Sequence, residues 1–281
     1  MQIVSQETKT LKVRDNDRSA DAISPNFIYG CCGGCMRSYC YVGRYNNDTV
    51  YLNKNLLKIL DRLSDWVAKK QWPKNPNQID NTYYVVDIGC STDVGLHWKH
   101  YPWEKVLEYF NLHPKLKSTF ATKYPSKVPN VGNPEKHRVR ISLMPQVYSD
   151  ILEKGTDSIE TRLAQIPRLK ENFEIHLNFS PIIYERDWKQ EYRKLFQKIA
   201  DIPDFSFKSE CIFLTYSYSQ HKQNTEEVNN LCYSEDFQEL KSSQYGGDVL
   251  RYKHQLKAKM IQEFKEIYQD YFPLESIRYI F

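Results

Sequence analysis

The sequence predicts an α/β fold, a partial (β/α) barrel of about six parallel strands that is followed by a C-terminal helix and a short strand. Two observations lead to this prediction. Short apolar segments typical of buried strands alternate with amphipathic segments typical of helices, which indicates a parallel sheet with crossover helices. The chain has 281 residues, a length that suits a partial barrel better than a complete one of roughly eight units.

The first elements can be assigned from local patterns. Residues 1–25 are expected to form a loosely ordered leader, and residues 26–29 a short strand. Apolar residues at intervals of three and four predict an amphipathic helix over residues 50–70, which the Pro- and Asn-rich residues 71–81 end. Residues 83–88 form an apolar run typical of a buried parallel strand.

The alternation continues through the rest of the chain. Strands are predicted over residues 118–122, 139–143, 173–179 and 207–217, and helices over residues 103–110, 158–171 and 188–199, with Pro167 ending or kinking the second helix. Residues 220–248 are polar and are expected to form a loop, before a helix over residues 257–271 and a strand over residues 276–281. The predicted organisation is therefore a leader, residues 1–25, and one barrel domain, residues 26–281.

Composition restricts the function only weakly. The net charge of +4 permits a nucleic-acid partner without requiring one. Tyrosine is frequent, with 21 residues, which suits base stacking but equally suits a core. No apolar run approaches the roughly 20 residues that span a bilayer, and the polar N-terminus lacks the apolar segment of a secretory signal. We therefore expect a cytoplasmic protein with no membrane partner.

Four of the seven cysteines crowd into ten residues, namely Cys31, Cys32, Cys35 and Cys40. An odd number of cysteines with dense local clustering indicates metal ligation rather than a disulfide framework. Thiolates are the ligands that both iron–sulfur clusters and zinc prefer. Structural zinc usually takes two separated pairs of ligands, and adjacent cysteines are poorly placed to bind one ion together. The pattern favours an iron–sulfur cluster, and a zinc site or unliganded core cysteines remain alternatives.

The position of these cysteines agrees with a reactive site. They follow the strand predicted at residues 26–29, so they lie in the first loop at the carboxyl end of the sheet, where such folds place chemistry. Gly33 and Gly34 allow the backbone to fold tightly. Three sulfur ligands would leave one iron open to bind a substrate.

The segment from Gly30 to Tyr41, including Tyr39-Cys40-Tyr41, resembles the cluster loop of radical S-adenosylmethionine enzymes, and specifically that of the spore photoproduct lyase family. The resemblance implies a [4Fe–4S] cluster on Cys31, Cys35 and Cys40, with Cys32 as a possible substitute for Cys31. The family spacing is CxxxCxxC. Here the first interval is kept, whereas four residues rather than two separate Cys35 from Cys40.

Further segments resemble the family in the same order. By these matches Cys90, in residues 87–93, is the hydrogen-atom donor to the product radical, although a buried cysteine is commonly a small hydrophobe. Lys123, which could pair with Asp93, and Ser142 would bind the cosubstrate. Tyr39 and Tyr41 are implied to order or relay the hydrogen transfer. Residues 153–163 also match, and we interpret them as architectural.

The resemblance implies the reaction and its partners. The cofactors would be the [4Fe–4S] cluster and S-adenosylmethionine, whose 5′-deoxyadenosyl radical starts cleavage of the methyl-bridged thymine dimer in ultraviolet-damaged DNA. The enzyme would be a carbon–carbon lyase supplied with electrons by a flavodoxin or ferredoxin. Another nucleic-acid or small-molecule substrate, or a non-enzymatic metal- or nucleic-acid-binding role, remains an alternative.

Residues 244–254 resemble the family's DNA-contacting hairpin. In this interpretation Arg251 meets phosphates and Tyr252 wedges near the bases. The alternative is an exposed basic turn without a ligand.

Overall fold

The computed structural model describes residues 2–8, 11–43, 49–243 and 246–281. Its strands are β1 (Gln2–Gln6), β2 (Arg14–Asp15), β3 (Ala22–Ile23), β4 (Ile28–Tyr29), β5 (Thr49–Asn53), β6 (Tyr84–Asp87), β7 (Leu116–Thr122), β8 (His137–Leu143), β9 (Glu174–Ile182), β10 (Lys208–Phe213), β11 (Thr215–Ser217), β12 (Gln238–Ser242), β13 (Asp248–Tyr252) and β14 (Ile277–Ile280). Its helices are α1 (Leu56–Ala68), α2 (Trp103–Leu112), α3 (Gln146–Leu152), α4 (Ile159–Ala164), α5 (Ile166–Leu169), α6 (Trp188–Ala200), α7 (Tyr218–His221), α8 (Glu226–Cys232) and α9 (His254–Gln269). No helix within these described ranges is both long and apolar enough to cross a membrane.

The largest sheet among the described residues has eight strands, in the order β14-β10-β9-β8-β7-β6-β3-β2. The pairs β3–β6, β6–β7, β7–β8 and β10–β14 are parallel, and β2 runs antiparallel to β3. Helices connect successive strands, since α2 links β6 to β7 and α6 links β9 to β10. The predicted fold class, an α/β partial barrel of mostly parallel strands, is confirmed.

The described residues divide into two compact units. The first takes in those within Met1–Cys32, Asn46–Ile141 and Ala164–His176, and the second those within Gly33–Tyr45, Ser142–Leu163 and Leu177–Phe281. Both units are discontinuous in sequence, and two of the boundaries between their segments fall within β8 and β9. Two smaller sheets complete the topology, β1-β5-β4 in the first unit and β11-β13-β12 in the second.

The core of the first unit includes the amphipathic helix α1. This helix buries Ile59, Leu60, Leu63 and Val67, which are spaced at intervals of one, three and four residues. Such spacing places them on one face of a helix. Burial of each large apolar side chain contributes about 1.5–3 kcal/mol to the free energy of unfolding. This face therefore holds α1 against the core of the unit, while the polar face remains in solvent.

The core of the second unit is built largely from aromatic side chains of α6 and α9. The ring centroids of Phe196 and Phe264 are 5.6 Å apart with an interplanar angle of 86°. Tyr192 meets Phe264 at 5.5 Å and 73°. Edge-to-face pairs of this kind add about 0.5–1.5 kcal/mol beyond the area they bury. These contacts explain part of the high aromatic content without any nucleic-acid partner.

The N-terminal region differs from the prediction. Residues 2–23 contribute β1, β2 and β3, and β3 pairs in parallel with β6 in the main sheet, so the expectation of a loosely ordered leader is wrong. The predicted helix over residues 50–70 also begins too early, because β5 pairs with β1 and β4 before α1 starts. The pairing with β1 is not visible in the local pattern, since β1 lies more than forty residues upstream of β5.

Two further segments differ from their predicted structure. Residues 220–248, expected to be loop, contain α8 and β12. The Thr225 hydroxyl accepts a hydrogen bond from the N–H of Val228 and caps α8. The predicted helix over residues 158–171 is present as two helices, α4 and α5, and Pro167 lies in the first turn of α5, where its missing N–H costs nothing.

Candidate active site

The segment that carries Cys35 and Cys40 is fixed by hydrogen bonds within the second unit. Cys35 is buried in a one-turn 3-10 helix, Gly34–Arg37, and the N–H of Cys40 donates to the carbonyl oxygen of Cys35 at 3.2 Å. The amide of Gln220 donates to the carbonyl oxygen of Cys40 at 2.8 Å. The side-chain amide of Asn224 donates to the carbonyl oxygen of Ser38 at 3.1 Å. Side chains distant in sequence therefore hold this segment in place.

Gly34 makes the closest backbone approach in this segment. A Cβ atom built on Gly34 would lie 1.6 Å from the carbonyl oxygen of Lys154. No other residue fits there without a movement of the backbone. The prediction that this glycine allows tight folding thus has a specific cause, which is contact with the chain just after α3.

Tyr39 is buried, and its hydroxyl donates a hydrogen bond to the carboxylate of Glu153. Burial raises the pKa of Tyr39 well above its usual range, and the negative charges of Glu153, Cys35 and Cys40 raise it further. The phenol therefore stays protonated. Tyr41 differs, since its side chain is 57% exposed.

Cys31 and Cys32 belong to the first unit. Cys31 is buried, whereas Cys32 is exposed and its sulfur lies 3.9 Å from Nε2 of His97. The N–H of Gly30 donates to the carbonyl oxygen of Ser91 at 3.0 Å, which fixes the entry to the cysteines. The two adjacent cysteines thus have different environments, and the buried one, Cys31, is the residue that the family spacing selects.

Cys90 lies half-buried just after β6, as the sequence predicts. One carboxylate oxygen of Asp87 accepts the N–H of Gly89 at 2.9 Å, and the other accepts Nη2 of Arg140 at 2.6 Å. A Cβ on Gly89 would lie 2.8 Å from Cγ2 of Val94. The turn that presents Cys90 is therefore held by an ion pair on one side and by close packing on the other.

Asp93 fixes the far side of the same turn. Its Oδ1 accepts the Thr122 hydroxyl at 2.7 Å and the Leu96 N–H at 3.0 Å. Its Oδ2 accepts the backbone N–H of Lys123 at 2.7 Å. This backbone bond ties the turn to the end of β7, and the predicted pairing of the Lys123 ammonium with the Asp93 carboxylate stays a prediction.

Ser142 is buried near the end of β8, and its carbonyl oxygen accepts a hydrogen bond from Arg162 at 2.8 Å. Arg162 also pairs with Glu153 at 2.7 Å, and neither side chain is exposed. Sequence reasoning treated these two residues as architectural. No local pattern marks this pair, because charges inside a helical segment usually lie on a solvated face.

The predicted DNA-contacting residues have different environments. Arg251 is half-exposed, with Nε 3.6 Å from a carboxylate oxygen of Glu239. Tyr252 is 2% exposed, and its hydroxyl accepts the N–H of Tyr184 at 2.8 Å. The ring of Tyr252 is thus part of the protein interior, which does not favour the prediction that it wedges near the bases. The preceding residues 244 and 245 lie outside the described residues.

The donor chemistry of the cysteines fits an iron–sulfur cluster, since thiolates are its usual ligands. Cys31 and Cys35 are also shielded from water. In the described part of the chain, no group of three or more His, Cys, Asp or Glu side chains is arranged to hold a metal ion. The assignment of Cys31, Cys35 and Cys40 as cluster ligands therefore rests on thiolate chemistry and stays a prediction.

Comparison with known proteins assigns the chain to a class and a family. The class is an α/β partial barrel, in which the cysteine-bearing segment follows β4 of the small sheet β1-β5-β4. The spore photoproduct lyase family model matches residues 2–281, and the chain belongs to that family. It is 25% identical over 289 aligned residues to spore photoproduct lyase of Bacillus subtilis (strain 168), which covers 96% of this chain and 79% of that protein.

Solved structures share the fold. Spore photoproduct lyase complexed with dinucleoside spore photoproduct superposes with a TM-score of 0.81 at 18% identity, covering 99% of this chain and 82% of that one. A variant of spore photoproduct lyase with bound AdoMet and dinucleoside spore photoproduct gives 0.80 at 19% identity, with the same coverage.

Proposed function

We propose that the protein is a radical S-adenosylmethionine lyase of DNA repair, which cleaves the methyl-bridged thymine dimer known as spore photoproduct. The observation that carries the proposal is the family match over residues 2–281 together with Cys90 on a rigid turn at the end of β6. Ultraviolet-damaged DNA is the partner, and a flavodoxin or ferredoxin supplies electrons. The protein works in the cytoplasm, where thiols remain reduced.

Cys31, Cys35 and Cys40 would hold a [4Fe–4S] cluster, with Cys32 as the substitute for Cys31. When bound, the cluster supplies the electron for reductive cleavage of S-adenosylmethionine. Burial of Cys31 and Cys35 keeps water away from the ligand sulfurs. Lys123, Asp93 and Ser142 would bind the cosubstrate through charge and hydrogen bonding.

Cys90 would give the hydrogen atom of its S–H group to the product radical once the bridge between the thymines has broken, so that a C–H bond forms and a thiyl radical is left on Sγ. An electron from the same flavodoxin or ferredoxin, with a proton from solvent, would restore the thiol. A donor of this kind must be held at a defined distance and angle, because a displacement of about 1 Å costs on the order of 10²-fold in rate. The hydrogen bonds of Asp87 and Asp93 meet this requirement on both sides of the turn. Arg251 would contact a phosphate of the damaged strand.

The test is an anaerobic assay of the reconstituted protein with S-adenosylmethionine, a reductant and dinucleoside spore photoproduct. We expect 5′-deoxyadenosine and the repaired dinucleoside. Cys90→Ala should still release 5′-deoxyadenosine but lose repair, whereas Cys232→Ala, which removes a buried thiol elsewhere in the fold, should repair normally. Unchanged repair by Cys90→Ala would remove Cys90 from the mechanism. Cosubstrate cleavage with no repair by the wild-type protein would exclude this substrate.

A further inference from the structure

We infer that Tyr39 is a positioning residue, which anchors the cysteine-bearing segment through a buried network with Glu153 and Arg162 and does not relay a hydrogen atom during turnover. We name these three residues the anchor network. The inference rests on the proposed function and gives residues 153–163 a role in it.

The centre of the anchor network is a fully buried ion pair. Oε1 of Glu153 accepts the Tyr39 hydroxyl, and Oε2 accepts Nη2 of Arg162 at 2.7 Å. Neither charged side chain is exposed to solvent. The Ser149 hydroxyl donates to the same Oε2 at 3.3 Å. A buried carboxylate with this many donors is fixed in place, and so is the phenol that donates to it.

Arg162 extends the anchor network to the sheet. Its Nη1 donates to the carbonyl oxygen of Ser142 at 2.8 Å, and its Nε donates to that of Asp157, also at 2.8 Å. The planar guanidinium therefore fixes the end of β8 and the turn before α4 relative to each other.

The cysteine-bearing segment meets three consecutive residues at the end of α3. Gly34 packs against the carbonyl of Lys154, the Ser38 hydroxyl donates to the carbonyl oxygen of Leu152 at 2.8 Å, and Tyr39 binds Glu153. Three contacts spaced along one short segment define its position as well as its orientation. Tyr39 is the contact nearest to Cys40 in sequence, so its loss should displace that ligand most.

The same geometry argues against a relay role for Tyr39. A phenol has one hydroxyl hydrogen, and in Tyr39 it is directed at Glu153. Transfer of that hydrogen to another acceptor would leave a buried carboxylate oxygen without its donor, which is costly. Tyr41, whose side chain is 57% exposed, remains the candidate for a relay.

The test compares Tyr39→Phe, the double variant Glu153→Leu/Arg162→Met, and the triple combination. The double variant replaces the ion pair with apolar side chains of similar size, so no unpaired charge is left inside the protein. Glu160→Gln, on the exposed side of α4, is the matched control. Four quantities are measured: melting of the unreconstituted protein, iron retained after anaerobic reconstitution, 5′-deoxyadenosine released, and repaired dinucleoside per 5′-deoxyadenosine.

An anchor predicts that Tyr39→Phe and the double variant lower iron retention and cosubstrate cleavage together, by roughly tenfold to a hundredfold as for other residues that orient ligands. Repaired product per 5′-deoxyadenosine should stay at the wild-type value, and the triple variant should be no worse than the double. Full iron and normal 5′-deoxyadenosine with lost repair in Tyr39→Phe would establish a relay and overturn the inference.

The outcome is separable from that of the proposed function. If the wild-type protein repairs nothing, the proposed function fails, while iron retention and melting still decide the anchor. If the double variant does not fold, Tyr39→Phe alone tests the anchor role, because removal of the Tyr39 hydroxyl leaves the ion pair of Glu153 and Arg162 intact. Wild-type iron retention and melting in Tyr39→Phe would then contradict the anchor.

Discussion

The two cysteine-bearing regions differ in where their supports come from. The turn that presents Cys90 is held by Asp87 and Asp93, which lie within three residues of it. The segment of Cys35 and Cys40 is held by residues more than a hundred positions away, among them Glu153 and Gln220. The residues that fix the Cys90 turn therefore belong to its own sequence motif, whereas the residues that fix the Cys35 and Cys40 segment belong to elements later in the chain.

This difference has a physical consequence. A turn fixed by its own carboxylates keeps its shape as long as the adjacent strands are formed. A segment fixed by distant side chains depends on the whole of its unit, since the loop closure that brings these groups together must be stabilised by the packing around them. Perturbations of the second unit should therefore affect Cys35 and Cys40 before they affect Cys90.

The largest effect is expected from Arg162→Met, which breaks the support of the Cys35 segment and leaves the Cys90 turn untouched. The carboxylate of Glu153 would remain buried without its cation, which costs about 3–5 kcal/mol. Urea unfolding of the unreconstituted protein measures this loss. Glu160→Gln should change stability by less than about 0.5 kcal/mol. A free energy of unfolding equal to that of the wild type would contradict the buried pair.

Gly34→Ala should come next. The added methyl group would overlap the carbonyl oxygen of Lys154, so the backbone must move, at a cost of about 3 kcal/mol. Gly33→Ala is the matched control, because Gly33 has φ −65° and ψ 146°, which alanine adopts readily. The two proteins should differ both in unfolding free energy and in iron retained. Equal behaviour would show that the close approach is not essential.

Acid should loosen the first unit in particular. Burial, with the charges of Lys117 and Lys136, lowers the pKa of His137 to about 3. Because the unfolded chain binds this proton near pH 6.5, stability is full above that pH and falls as the pH drops towards 3, by up to about 1.4 kcal/mol per pH unit. At pH 5 the loss is about 2 kcal/mol.

Unfolding free energies measured from pH 7 to pH 4 check this expectation. His137→Gln should show a shallower decline with falling pH than the wild type. His254→Gln, at an exposed position, should follow the wild-type curve. Identical slopes for wild type and His137→Gln would show that this histidine is not held neutral by burial.

Asp93→Asn should give the smallest effect and a local one. An amide has one acceptor oxygen where the carboxylate has two, so the Thr122, Leu96 and Lys123 bonds cannot all be kept. A loss of about 1–2 kcal/mol is expected. Faster hydrogen exchange at the N–H of Lys123 in Asp93→Asn would show that this loss of stability arises at the turn. Asp65→Asn on an exposed face should leave that exchange unchanged.

Local features of the fold could be predicted from the sequence, whereas contacts between residues far apart in sequence could not. The strand before Cys90 and the helices over α2 and α6 follow from periodic apolar patterns, which act over a few residues. β1 and β5 were missed because their pairing joins residues far apart in sequence. Tyr252 resembled a surface residue in a basic stretch, and only the fold shows that its ring is buried.

The candidate site shows this limit most clearly. Cysteine spacing and the family resemblance predict the sulfur ligands and the role of Cys90, but no local pattern connects Tyr39 to Glu153. Charges inside a helical segment usually indicate a solvated face, and their burial depends on what packs over them. Arg162 was for that reason indistinguishable from a surface arginine until the tertiary contacts were known.

The most direct test of the account is the metal content of the anaerobically reconstituted protein and of its four single cysteine variants. Three sulfur ligands with one open iron predict about four irons per chain, an electron paramagnetic resonance signal that S-adenosylmethionine alters, and loss of iron in Cys31→Ala, Cys35→Ala and Cys40→Ala but not in Cys32→Ala. A colourless protein that holds a single zinc ion, or a signal indifferent to S-adenosylmethionine, would contradict it.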